Sequence, residues 1–385
     1  MNILLINKFY WPDVGGVETV VQQHANFLTT KGNKVTVLCI KKNASLKTEK
    51  INIQGVNIIR CSSLGTFFSM PLSLSFFYHY IRSVLDNKFI IFHEPFPLAD
   101  IAMCLFLPKK KKTMIFWHSD IVRQKKLKLI LGFFIKKALR KANVVCTTSK
   151  NLSQHSEYLG IVKEKLQIVP LSIDTDGLNK KVNSLNVNEF DSEIKSYADA
   201  QFISFGRLSY YKGLDVLLEA LKILKKEGIE PRVVISGKGE LSNHIANIIK
   251  QEQLSNVIFI NRFLKEDEKC FLLKNIKCFL FPSIANSEAF GITQLESLAL
   301  GTPVINTSLP TGVPDVSINN LTGLTVTPGD PYSLAEAIKK IYLNKVNLDI
   351  FSVNAKIRAS TIFDDKIVLP HFYNIILDVC NDKYI

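Results

Sequence analysis

Thirteen short apolar runs, none longer than seven residues, alternate with longer helical patterns, and this alternation limits the fold more than any other feature of the chain. In the first half the runs are residues 2–6, 34–40, 56–61, 89–93, 113–117, 143–148 and 166–170. In the second half they are 201–206, 232–237, 256–260, 278–281, 303–307 and 323–326. Runs apolar on both faces, such as "KVTVLCI", suit parallel strands buried under helices. Helical patterns over 214–226, 330–343 and 16–31 supply the crossovers that such a sheet needs. Residues 174–200 are polar, rich in Asn and Asp, and read as the linker between the halves. With 385 residues and 47% hydrophobic content, each half is able to bury its own core. The expected architecture is α/β: two doubly wound Rossmann-like domains, 1–175 and 199–364, facing a central cleft. Residues 176–198 join them, and a last helix, about 365–385, packs back on the first domain. A ligand in such a fold lies outside the carboxyl ends of the strands, so chemistry is sought just after each one.

Several classes are disfavoured at once. The amino-terminal "MNILLINKFYWPD" has no basic region ahead of its short apolar stretch, which does not resemble a signal peptide. No apolar run approaches the roughly 18–20 residues of a membrane span, so a cytoplasmic protein is expected. The 7 cysteines form neither a C-x-x-C pair nor a metal-like spacing with histidine and are read as small buried hydrophobes. The net charge is +14, and residues 109–141 hold twelve Lys/Arg against one acid, Asp120. Such a run is often a solvated face. Here "KKLKLILGFFIKKALRKA" (125–142) interleaves its bases with Leu, Ile and Phe, which also suits a helix on an anionic membrane surface. Nucleic-acid binding is the third reading, without a recognisable reader motif to support it.

The strand ends carry candidate ligand-binding residues. After the first strand, Gly15 and Gly16 precede a helix, where backbone can approach a ligand and free N–H groups can meet an anion. G-x-G-x-x-G is absent there, which speaks against a dinucleotide-binding oxidoreductase. Arg207 and Lys212 follow strand 201–206 around a helix start, an arrangement suited to a diphosphate and equally open to two surface cations. Gly237 and Gly239 in "SGKGEL" mark another close-approach turn. After strand 278–281, Glu288 lies in a loop, Phe290-Gly291-Ile292 begins a helix, and Gly301 ends it. Glu296 is eight positions beyond Glu288, about 12 Å along a helix, so the two carboxylates serve different groups of one long ligand or are simply two solvated glutamates. A sugar nucleotide has the required shape: sugar hydroxyls at Glu288, phosphate at the N–H groups of 290–292, ribose hydroxyls at Glu296.

Glu288-x7-Glu296 within "SEAFGITQLESLALGTPVI" resembles the E-x7-E signature of retaining glycosyltransferases of family 4, which have the GT-B fold. "GGVE", "FGRLSYYKGLDVLLEA", "ISGKGE" and "GLTVTPGDPYSLAEAI" follow in family order, so the resemblance covers nearly the whole chain. It implies that Glu288 faces the donor sugar, Glu296 binds the nucleotide ribose, Arg207 and Lys212 hold the diphosphate, and Gly16 closes the loop beside it. His118, after strand 113–117, matches the family's active-site histidine, and Glu94 and Pro95 in "HEPFPLAD" match a segment on the acceptor side. "DTD" (174–176) has the Asp-x-Asp form of a metal site, but the resemblance implies protein cations instead; no metal and no cofactor are expected. The implied activity is hexosyl transfer, with mannose from GDP-mannose the preferred donor, to a lipid-linked saccharide in O-antigen or capsule synthesis. The enzyme would work at the inner face of the cytoplasmic membrane. The rival readings are a nucleotide-sugar epimerase of the same architecture and a basic nucleic-acid-binding protein.

Overall fold

The computed structural model describes residues 1–13, 15–67, 70–121 and 125–383, with backbone alone over 125–130. The chain divides into two compact units, one of Met1–Leu171 with Val368–Ile385 and the other of Ser172–Ile367.

The first unit contains β1 (Asn2–Ile6), α1 (Gly16–Thr30), β2 (Lys34–Ile40), β3 (Glu49–Ile53), β4 (Val56–Cys61), β5 (Thr66–Phe67), β6 (Met70–Pro71) and α2 (Leu74–Asp86). It continues with β7 (Phe89–Glu94), α3 (Pro97–Phe106), β8 (Lys112–Trp117), α4 (Lys125–Lys141), β9 (Val144–Thr147), α5 (Lys150–His155) and β10 (Leu166–Ile168). Its sheet runs β10-β9-β8-β7-β1-β2-β4-β3, parallel throughout except for β3, which is antiparallel to β4. β1, β7 and β8 are buried almost end to end, as strands covered on both faces must be. β3, at the sheet edge, exposes alternate residues of "EKINI", so it has no apolar run and the sequence reading passes over it.

The second unit contains α6 (Thr175–Asn183), α7 (Ser192–Tyr197), β11 (Phe202–Arg207), α8 (Leu214–Lys226), β12 (Val233–Lys238), α9 (Ser242–Gln251), β13 (Val257–Ile260) and α10 (Glu266–Asn275). There follow β14 (Cys278–Leu280), α11 (Ile292–Leu300), β15 (Val304–Thr307), α12 (Val313–Val316), β16 (Gly323–Val326), α13 (Pro331–Tyr342) and α14 (Leu348–Ile362). The sheet order is β13-β12-β11-β14-β15-β16, all parallel. α8 follows the 3.6-residue period, burying Leu214, Leu217, Leu218, Leu221 and Leu224 against this sheet.

The polar stretch read as a linker is a correction. It folds into α6 and α7 and belongs to the second unit, where α6 packs on α10 and α11. Each short helix has one apolar anchor, Leu178 or Ile194, too few to show as a periodic pattern. The last helix, α15 (Asp365–Cys380), returns to the first unit: Phe372 stacks on His24 of α1 with centroids 4.0 Å apart. Among the described residues no helix is long and apolar enough to cross a membrane. All seven cysteines are free, five buried and two half-buried.

Candidate active site

In the second unit the chain winds outward from β11 and β14 in opposite directions, which makes their carboxyl ends the switch point where open α/β sheets bind ligands. A small concavity lies there, lined by Ser204, Arg207, Lys212, Ser236, Phe281 and Ser283. The loop after β11 leads through Gly213, whose φ of 67° is left-handed and whose added Cβ would collide with the Pro282 carbonyl. Only glycine lets this turn rest against the end of β14. Lys212 is thereby set with its Nζ 2.6 Å from Glu288 Oε2 and over the Phe281 ring, 4.8 Å from the centroid. Ser283 Oγ also donates to Glu288 Oε2, at 3.3 Å. Glu288 is buried, whereas Arg207 is exposed and has no ion pair among the described residues.

Gly291 opens α11 at φ 88°, and an added Cβ would stand 2.6 Å from Phe281 Cζ. Among the described residues no side chain caps this helix, so its first-turn N–H groups are available to an anion. Phe290 is buried against Phe363, and Ile292 is half-buried at the helix start. Behind the start, Asn306 Nδ2 donates to Gln294 Oε1 at 3.0 Å and to the Val313 and Ser317 carbonyls at 2.9 and 3.0 Å. Both residues are fully buried. Sequence reasoning missed them, although a polar Asn inside the apolar run "PVINT" was a usable signal.

The two signature glutamates have different partners. Glu288 lies in the loop before α11, so the helical spacing argument does not relate it to Glu296. Glu296, in the second turn, accepts from Lys269 Nζ at 2.7 Å. Burial raises the Glu296 pKa, and Lys269 opposes that shift. Gly237 also differs from expectation: its close approach is to its own sheet, because an added Cβ would strike the Gly206 carbonyl of the neighbouring strand. Asp174 and Asp176 are engaged separately, Asp174 accepting from the Gly177 N–H at the start of α6 and Asp176 pairing with Lys366.

In the first unit the corresponding switch lies between β1 and β7. β7 ends in His93 and Glu94, and His118 follows β8, its N–H donating to the Glu94 carbonyl at 2.9 Å. His93 Nδ1 and His118 Nε2 are 3.0 Å apart, and their rings stack, while the His24 ring lies tilted 5.5 Å from that of His93. All three imidazoles are buried, and burial pushes the pKa of His24 and His118 down to about 3 and that of His93 well down. His93 Nε2 has no partner among the described residues. An unpaired lone pair is tolerated better in a core than an unpaired N–H. His93 therefore donates from Nδ1, and His118 keeps its proton on Nδ1.

Glu94 is turned inward. Its Oε2 accepts from the Phe96 N–H, and burial, then the nearby Asp100 carboxyl, hold its pKa well above the usual carboxylate range. Its carboxyl shapes the Pro95–Leu98 corner and is not exposed to a ligand. At α1, Gly15 is extended and Gly16 is the first helical residue. The Glu18 carboxylate folds back beside Gly15, where an added Cβ would meet it.

Two family descriptions match the chain: "Glycosyl transferases group 1" over residues 188–358 and "Glycosyltransferase Family 4" over residues 14–176. The chain belongs to the glycosyltransferases that combine these two domains, and its fold is GT-B. It is 26% identical over 384 residues to the O-antigen chain mannosyltransferase C of Escherichia coli, covering 100% of both chains. It is 27% identical to the D-rhamnosyltransferase WbpZ of Pseudomonas aeruginosa, over 94% of this chain and 92% of that one. Among solved structures it is similar to sucrose-phosphate synthase from Thermosynechococcus elongatus, with TM-score 0.76, 17% identity and 99% coverage of both chains.

Proposed function

We propose that this protein moves a hexose from a nucleoside diphosphate sugar to a hydroxyl of a lipid-linked saccharide, with retention at the anomeric carbon, in surface-polysaccharide assembly. The observation that carries this reading is the Lys212–Glu288 pair beside the uncapped start of α11 at the switch point of the second unit. In this reading Lys212 is the cation for the diphosphate and Glu288 the carboxylate for sugar hydroxyls. As the bond from the anomeric carbon to the diphosphate oxygen breaks, charge grows on the leaving group. Arg207, Lys212 and the α11 N–H groups stabilise it. The acceptor oxygen forms the new bond on the same face, and its proton passes to the departing phosphate oxygen. Glu296 receives the ribose hydroxyls, His118 offers Nδ1–H to the transferred sugar, and Gly15 and Gly16 let the loop close beside phosphate. Glu94 and Pro95 shape the acceptor side.

Mannose from GDP-mannose is the favoured donor, on the strength of the Escherichia coli relative's name. The reaction needs no metal in this reading, because protein cations take the diphosphate and both aspartates of "DTD" are engaged elsewhere. The acceptor places the protein at the inner face of the cytoplasmic membrane, and three adjoining helices of the first unit suit that surface. α2 exposes Leu74, Tyr78 and Leu85, α3 exposes Leu105, and α4 exposes Phe133 beside Lys136 and Lys137. Phe77 on Phe106 joins α2 to α3, and Lys141 Nζ donates to the Met103 and Leu107 carbonyls to join α4 to α3. An apolar face rimmed by lysines matches an anionic bilayer. The side chains of Lys125 and Lys126 lie outside the described residues.

The test is a screen of UDP- and GDP-sugars with a lipid-linked acceptor, reading nucleoside diphosphate release. Release from one donor, dependent on acceptor and insensitive to chelation, supports the reading. Release without acceptor, or an epimerised sugar, would oppose it, and activity lost on chelation and restored by magnesium or manganese would reopen the metal question.

A further inference from the structure

We propose that Lys269 is a positioning residue that holds the Glu296 carboxylate for the ribose hydroxyls of the nucleotide, and so sets how strongly the protein prefers ribonucleotides to their dideoxy forms. The inference rests on the reading of Glu296 given above.

Lys269 lies on α10, the helix preceding β14, and its side chain is 14% exposed. Its Nζ is 2.7 Å from Glu296 Oε1 and 2.9 Å from Glu266 Oε2. Glu296 is itself 15% exposed, so this cation and carboxylate meet largely away from water. Only one carboxylate oxygen is engaged. Among the described residues Glu296 Oε2 is buried without a partner, and so is Thr293 Oγ1, three residues earlier on the same face of α11. A vicinal diol brings two O–H donors and two acceptor oxygens, which is what an unpaired carboxylate oxygen and an unpaired hydroxyl lack. Lys269 fixes Oε1 and thereby aims Oε2, while its charge keeps the carboxylate an acceptor. Without it, burial favours the protonated acid, which has less acceptor capacity. Nothing in "KEDEKC" marks Lys269 beyond an ordinary charged helix start.

The experiment is calorimetric titration of the whole protein with UDP and GDP and with their 2′,3′-dideoxy counterparts, for the parent, Lys269→Met and Lys269→Arg. The parent should bind the better ribonucleotide about tenfold more tightly than its dideoxy form, since unpaired buried acceptors penalise a ligand lacking the hydroxyls. Lys269→Met should bring that ratio to within about twofold by weakening the ribonucleotide alone, and Lys269→Arg should restore most of it. If Lys269→Met unfolds, Lys269→Gln carries the same comparison. A Met or Gln variant that keeps the parent ratio, or weakens both ligands equally, overturns the proposal. A parent that does not distinguish the two forms refutes the ribose reading of Glu296 itself, and the inference falls with it.

Discussion

Arg207 and Lys212 are five positions apart in the sequence, yet they stand differently before any ligand arrives. Lys212 is neutralised by Glu288 at 2.6 Å, while Arg207 is exposed. Under the proposed function, a diphosphate arriving at Lys212 competes with the Glu288 carboxylate for its charge. Alanine at either position should lower kcat by about 10²–10³, the scale of losing one preorganised charge-stabilising group. The double variant should lose less than the product of the two if both serve the same phosphates; strictly multiplicative losses would assign them separate roles. Glu296→Ala should instead raise the donor dissociation constant by roughly tenfold through lost hydrogen bonds to the ribose. An effect on kcat alone would contradict that division. The type and order of these residues were legible in the sequence, but their pairing was not. Glu288 finds Lys212 and Glu296 finds Lys269 only because β11, β14, α10 and α11 converge in space.

At the scale of elements, the start of α11 depends on a glycine in front and a polar network behind. Gly291→Ala forces a left-handed residue with a Cβ into Phe281, and about 1–3 kcal/mol of strain follows. Asn306→Leu strips Gln294 and two buried carbonyls of their donor, which should cost about 2–4 kcal/mol. Urea unfolding checks both, and a midpoint unchanged in either variant would deny that the network holds the helix start. The long strands were readable because burial on both faces leaves an unbroken apolar run. β3 was not, since an edge strand alternates, nor were α6 and α7, whose single anchors leave the pattern polar.

Across the whole molecule, the buried histidines make stability depend on pH. His24 and His118 are held near 3 and His93 well below its usual value, whereas in the unfolded chain all three titrate near 6.5. The unfolded state thus binds more protons, and stability falls as pH drops from about 6.5 toward 3, by about 1.4 kcal/mol per pH unit for each imidazole. Glu94 and Asp100 act in the opposite sense: their raised values give a contribution complete below the unfolded carboxyl range and lost as pH rises through the folded one. His24→Phe isolates the histidine effect and should reduce the acid sensitivity between pH 6 and 4 by about 1.4 kcal/mol per unit in urea unfolding. Identical slopes for parent and variant would mean that His24 is not kept neutral. On membranes, glutamate at Lys125, Lys126, Lys136 and Lys137 should release the protein from anionic liposomes, each lysine near the surface contributing about 1 kcal/mol. Co-sedimentation equal to the parent's would reduce the basic stretch to a solvated face. The central claim is that sugar transfer runs through the carboxylate facing Lys212, and the most direct test is the turnover of Glu288→Gln with the best donor and a lipid-linked acceptor. The variant should keep the parent's melting temperature and lose at least about a hundredfold in kcat, as removal of a transition-state contact does. Turnover near that of the parent would contradict the account.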